Sequence, residues 1–161
     1  MGRIIKTIHI VLTVIAWGIF ISSLIRIAVV WKSLPDTLGI HFADNGEFDV
    51  IGSKNWTLYP YLVSIGALVL CEVSALLSKK IKTGIKISEK GDKKIRTALG
   101  MFLDISKLGF SFFFSGVWAD CVIRQHPLNT HIPAAVMWIM FFSFLVFVIA
   151  AVVIKIKSPP E

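Results

Sequence analysis

Four apolar runs, each near or above the roughly 20 residues with which a helix crosses a bilayer, alternate with polar segments along this chain. The first runs from Ile4 to Val30, with Arg3 before it and Lys6 in its first turn. Its length separates it from a secretory signal, whose apolar stretch of about 7 to 15 residues ends at a small-residue cleavage site. Arg26 lies about one turn from the far end, where its guanidinium can snorkel to the interface. The second run, Leu58 to Leu77, opens with Tyr59, Pro60 and Tyr61 and is closed by Lys79 and Lys80. Proline suits a first helical turn because the amide hydrogen it lacks would be unpaired there. Asp104 and Lys107 interrupt the third run, from about Ala98 to Val122, before the stretch Phe110 to Phe114. Pro133 opens the fourth, which reaches Ile156 and is closed by Lys155 and Lys157. Between the second and third runs, Ser78 to Arg96 is rich in lysine, carries two glycines and is expected to be a loop. A shorter loop holds Arg124, His126, Pro127 and His131.

This pattern predicts an all-α integral membrane protein of one domain, residues 1–161. The expected architecture is a four-transmembrane-helix bundle with spans near 4–30, 58–77, 98–122 and 133–156, and a short external β-hairpin-like loop between helices 1 and 2. Composition agrees: 55% of the 161 residues are hydrophobic and 17% charged, against about a quarter charged in soluble domains. The net charge of +7 would suggest nucleic acid in a soluble chain. Here the bases cluster beside apolar runs, where they set topology and touch anionic lipid, so the bilayer and not nucleic acid is the expected partner. Both ends and the Lys-rich loop carry the excess of bases, which puts both termini on the cytoplasmic side. Trp31, Trp56, Tyr59, Tyr61 and Trp118 then form an outer aromatic belt. Cys71 and Cys121 both lie in apolar runs, so neither a disulfide framework nor a four-ligand zinc site is expected. Ser111, Ser115 and Ala119 recur every four positions, as do Ala67, Cys71 and Ala75, and such stripes let two helices approach closely. The second and third spans are the expected contact pair.

Glu72, Asp104 and Lys107 are charges set away from the ends of their apolar runs. A charge in hydrocarbon costs at least about 2.5 to 3.5 kcal/mol on insertion scales, so such residues face the bundle interior and find partners. Antiparallel second and third spans bring Glu72 and Lys107 to similar depth, within expected ion-pair reach. Such a cluster either fixes helix register or carries a proton or cation. His9, near the inner interface, is expected to be inert.

The segment Trp31 to Trp56 concentrates the turn signals. Leu34-Pro35 sets an extended start, Asp44-Asn45-Gly46 is a hairpin turn, and Gly52-Ser53 precedes the second span. A two-residue Asn45-Gly46 turn would pair Phe42 with Asp49. A three-residue Asp44-Asn45-Gly46 loop, with Gly46 left-handed in a bulge, pairs Ala43 with Glu47, Phe42 with Phe48 and His41 with Asp49. The second register is chemically coherent, setting ring against ring and base against acid. His41, Asp44, Glu47 and Asp49 are acceptable metal ligands, but their spacing follows neither an EF-hand nor an HExxH motif, and no metal or other cofactor is expected. Gly52-Ser53-Lys54 lacks the first glycine of a phosphate loop.

Leu34-Pro35, His41-Phe42, Gly46, Asp49 and Gly52-Ser53-Lys54 together resemble, in order and over about 25 residues, the bacterial membrane-domain family of unknown function number sixteen forty-eight. That family is related to the N-terminal part of SdpI-type immunity proteins. The resemblance implies a multipass bacterial plasma-membrane protein and, more distantly, protection against a secreted toxin peptide. No nucleophile and base pair of known spacing is present, so catalysis is not expected. The leading expectation is a non-enzymatic membrane protein that binds a secreted peptide or membrane partner through His41, Phe42, Glu47, Asp49 and Lys54. The alternative is a small ion-coupled transporter using Glu72. It requires a homo-oligomer, since four spans enclose little of a pathway.

Overall fold

The computed structural model describes residues 2–160. It is mostly helical: α1 (Gly2–Val30), a hairpin of β1 (Thr37–Phe42) and β2 (Phe48–Ser53), α2 (Tyr59–Lys80), α3 (Glu89–Phe110), α4 (Ala119–Arg124) and α5 (His131–Lys157). A π-helical segment, Ser111–Trp118, joins α3 to α4, so these three elements make one continuous rod. The chain thus has four helices long and apolar enough to cross a membrane.

The Lys-rich segment differs from expectation, because helix occupies most of Ser78 to Arg96 and only residues 81–88 connect α2 to α3. The reason lies in capping. Ser88 Oγ accepts from Gly91 N–H at 3.3 Å, and Glu89 and Asp92 occupy the first turn of α3, where carboxylates offset the helix dipole. Arg96 bonds Asp92 at 2.8 Å and donates to the carbonyls of Ser78 and Lys79 at 3.3 and 2.8 Å. Those carbonyls belong to the last turn of α2, which would otherwise be short of donors. Asp92 also accepts from the backbone and hydroxyl of Thr83, at 2.9 and 2.6 Å, and so ties down the connection.

Asp104 and Lys107 do not break the third long helix; both lie inside α3 and are buried. Its irregularity is the π-helical segment that follows, and such widened turns are uncommon outside functional or strained stretches. The rod packs against α1, α2 and α5, and α5 contributes no buried residue. Ala16, Phe20, Ile27, Tyr61, Leu68 and Ala119 form the apolar core between α1, α2 and the rod.

Close approach is achieved by hydroxyls as much as by small side chains. Ser111 Oγ donates to the Ala16 carbonyl at 2.6 Å, Ser115 Oγ to Ser64 Oγ at 2.6 Å, and Ser23 Oγ to the Ser115 carbonyl at 2.5 Å. Ser111, Ser115 and Ala119 are buried as their spacing predicts. On α2 the inward stripe is Ser64, Leu68, Cys71 and Ala75, whereas Ala67 is only half-buried. The expected stripe was therefore right for Cys71 and Ala75 and rotated at its upper end. Spacings of three and four both hold a helical face, so the inward stripe runs back from Cys71 through Leu68 to Ser64, which a strict four-residue step through Ala67 does not reach.

Candidate functional site

Two constellations stand out, one in the hairpin between α1 and α2 and one within the helices. The first is the hairpin between α1 and α2. Thr37 lies opposite Ser53, Leu38 opposite Gly52, Gly39 opposite Ile51 and Phe42 opposite Phe48. Ala43 N–H donates to the Glu47 carbonyl at 2.8 Å and Gly46 has φ +85°, which is the three-residue turn. The backbone register needs one correction: the ladder is irregular at His41, which lies opposite Val50 and not Asp49. The side chains still meet, with His41 Nδ1 2.7 Å from Asp49 Oδ1. Such an irregularity adds twist, and it lets two consecutive residues approach one ring, His41 at 6.3 Å and Phe42 at 5.7 Å from Trp118.

The hairpin is docked, not slack. Phe42 packs on Phe48 with centroids 4.5 Å apart and ring planes tilted by 31°, and is buried with Leu38, Val122 and Leu128. Gln125, at the left-handed end of α4, accepts from Gly39 N–H at 2.8 Å and donates to the Gly39 carbonyl at 3.1 Å. It satisfies a strand edge that would otherwise be open. At the tip, Leu128 N–H donates to the Gly46 carbonyl at 2.8 Å. Lys54 closes the base, 2.9 Å from Asp36 and over the Trp31 ring. This hydrogen bond and the charge behind it hold the Asp36 carboxyl below the usual carboxylate range. Lys54 is thus engaged within the protein, while Glu47 is exposed and its side chain has no partner among the described residues. Beneath the hairpin, Ile40, His41, Trp56, Tyr59 and Trp118 line a cleft of about 350 Å³. Val50, Ile51 and Trp56 are exposed beside it, Ile51 by 76%.

The second constellation joins α1, α2 and α3. Lys107, 0% exposed, bonds Glu72 at 2.6 Å, Thr13 at 2.7 Å and Asp104 at 3.0 Å. This is the expected meeting of Glu72, Asp104 and Lys107. His9 departs from expectation: its Nδ1 lies 2.7 Å from Asp104, so it is the outer member of the chain His9, Asp104, Lys107, Glu72. Placement near an end of α1 suggested inertness, but α1 turns that side toward α3. A cavity of about 440 Å³ leads to His9 and Asp104 from the end that carries Lys6, Lys79 and Lys93.

Arg26 also differs from its expected role. It pairs with Asp120, which holds Arg124 as well at 2.9 Å, so α1 is tied to α4 and the guanidinium is not simply extended to an interface. Asp120 lies two residues inside the end of the third apolar run, and nothing in the spacing along the chain links it to Arg26. Cys71 and Cys121 are free thiols. Among the described residues, no group of three His, Cys, Asp or Glu side chains converges as a metal site requires. The chain matches no family model, no curated protein and no solved structure.

Proposed function

We propose that this is a non-enzymatic multipass protein of a bacterial plasma membrane that receives a secreted peptide or membrane partner on its hairpin. Four helices of spanning length support insertion. The lysine bias around residues 79–96 and 155–157 supports a cytoplasmic position for that end and for both termini, with the hairpin outside. One observation carries the binding role. The hairpin is clamped by Gln125, Leu128 and Phe42, yet leaves an aromatic cleft and exposed Ile51 beside the His41–Asp49 pair. A pre-ordered apolar surface with a few polar groups binds with little ordering cost. Toxin protection is the form of this role implied by the likeness of residues 34–54 to the immunity-related family. The test is growth of expressing bacteria challenged with a secreted toxin peptide. Protection should fall for Trp56→Ser and Ile51→Asp at unchanged membrane levels; protection indifferent to both would remove the hairpin from the mechanism.

A second reading, an ion-coupled transporter working as a homo-oligomer, is favoured by the chain from His9 through the buried Asp104 and Lys107 to Glu72, reached from an open cavity. Proton flux in proteoliposomes, abolished by Glu72→Gln, would support it; equal flux in variant, wild type and empty vesicles would end it.

A further inference from the structure

We infer that the cavity between α1, α2 and α3 is a binding site for one phospholipid with an anionic headgroup, held from the lysine-rich end. This rests on the four helices lying in a bilayer and is independent of the hairpin's role. Two properties of the cavity point to it. Its walls are apolar, with Ile5, Ile10 and Met101 along its length. Its outer end brings Lys6, Lys79 and Lys93 together from three helices, all exposed and none in an ion pair among the described residues. The remaining base, Arg96, is already engaged by Asp92 and the end of α2. The facing acid, Asp104, lies at the inner end and is satisfied by His9 and Lys107.

A solvated lysine needs no partner, but three of them around one apolar recess make an uncompensated positive field. A phosphate fits that field, and an acyl chain fits the apolar wall. A free phosphate would use the lysines alone, whereas a lipid uses both halves. Basic recesses between helices on the cytoplasmic side are where anionic headgroups are held. Lys93 and Asp104 are eleven residues apart on α3, about 16 Å of helical rise. That depth lets the headgroup stay at the lysines without reaching the buried acid.

The experiment uses the full chain, extracted from membranes, stripped of lipid and titrated with phosphatidylglycerol or phosphatidylcholine in mixed micelles, and separately with inorganic phosphate. Binding is read by native mass spectrometry, with circular dichroism as a check on folding. Phosphatidylglycerol should bind at one per chain in preference to phosphatidylcholine, and inorganic phosphate should not bind. Each surface lysine contributes about fivefold in affinity for an anionic surface, so Lys6→Gln/Lys79→Gln/Lys93→Gln should weaken phosphatidylglycerol binding on the order of a hundredfold. Lys86→Gln/Lys155→Gln/Lys157→Gln removes the same charge elsewhere and should leave that binding unchanged. Equal binding of the two lipids, or an equal loss in both triple variants, would overturn the site and reduce the effect to bulk charge. Phosphate binding alone would overturn the lipid. A chain found in the soluble fraction would overturn the membrane reading itself.

Discussion

Lys107 is the residue whose loss should cost most, and the structure says how its partners share that cost. Its ammonium is bonded to Glu72, Asp104 and Thr13 with none of it open to solvent. Lys107→Met leaves Glu72, partly exposed, without its base and leaves Asp104, which is buried, with His9 as its remaining partner. Removing one member of a buried pair costs about 3 to 5 kcal/mol, because the survivor keeps its desolvation penalty. Glu72→Gln is milder: Asp104 still neutralises Lys107, and the amide oxygen can still accept. About 1 to 2 kcal/mol is expected, the size of a charge-assisted hydrogen bond weakened at a partly exposed site. Adding Lys107→Met to Glu72→Gln should therefore cost less than Lys107→Met alone. The assay is unfolding in dodecyl maltoside micelles titrated with sodium dodecyl sulfate. If Glu72→Gln costs as much as Lys107→Met, or the two add within about 0.5 kcal/mol, the cluster is not the shared charge network described above.

Single cysteines at Asp44 and Lys86, in a background lacking Cys71 and Cys121, should react oppositely with an impermeant thiol reagent on intact cells; equal labelling would refute the proposed orientation. Gly46→Ala should loosen the hairpin, because a left-handed non-glycine residue costs about 1 to 2 kcal/mol and the added carbon would meet the Leu128 carbonyl. Gln125→Ala should do the same by freeing Gly39. Both are read as faster proteolytic nicking at residues 43–47, with Gly66→Ala, which meets open space, as the unchanged control. Since Lys54 lowers the Asp36 pKa in the folded chain, the small stabilisation from this exposed pair is complete above the unfolded carboxylate value. It is lost as pH falls through the lowered one. Nicking should rise only in acid for the wild type and be raised already at neutral pH for Asp36→Asn.

Local pattern determined a large part of this protein. Run length and composition marked four long helices, because apolar stretches of some twenty residues have few other folds open to them. Turn chemistry set the hairpin tip, since Gly46 supplies the positive φ that a three-residue loop requires. The meeting of Glu72 with Lys107 was legible because a lone charge in an apolar run must find its opposite. Tertiary structure decided the rest. Arg96 could cap α2 only once α3 had folded back beside it, and that shortened the lysine-rich connection. His9 joins Asp104 across 95 residues, Arg26 meets Asp120, and Gln125 grips Gly39 across 86. None of these is encoded by periodicity, which says which face turns inward but not which polar group waits there. The irregular ladder at His41 has the same origin, for the strand bends to put both His41 and Phe42 on a tryptophan that arrives from a different helix.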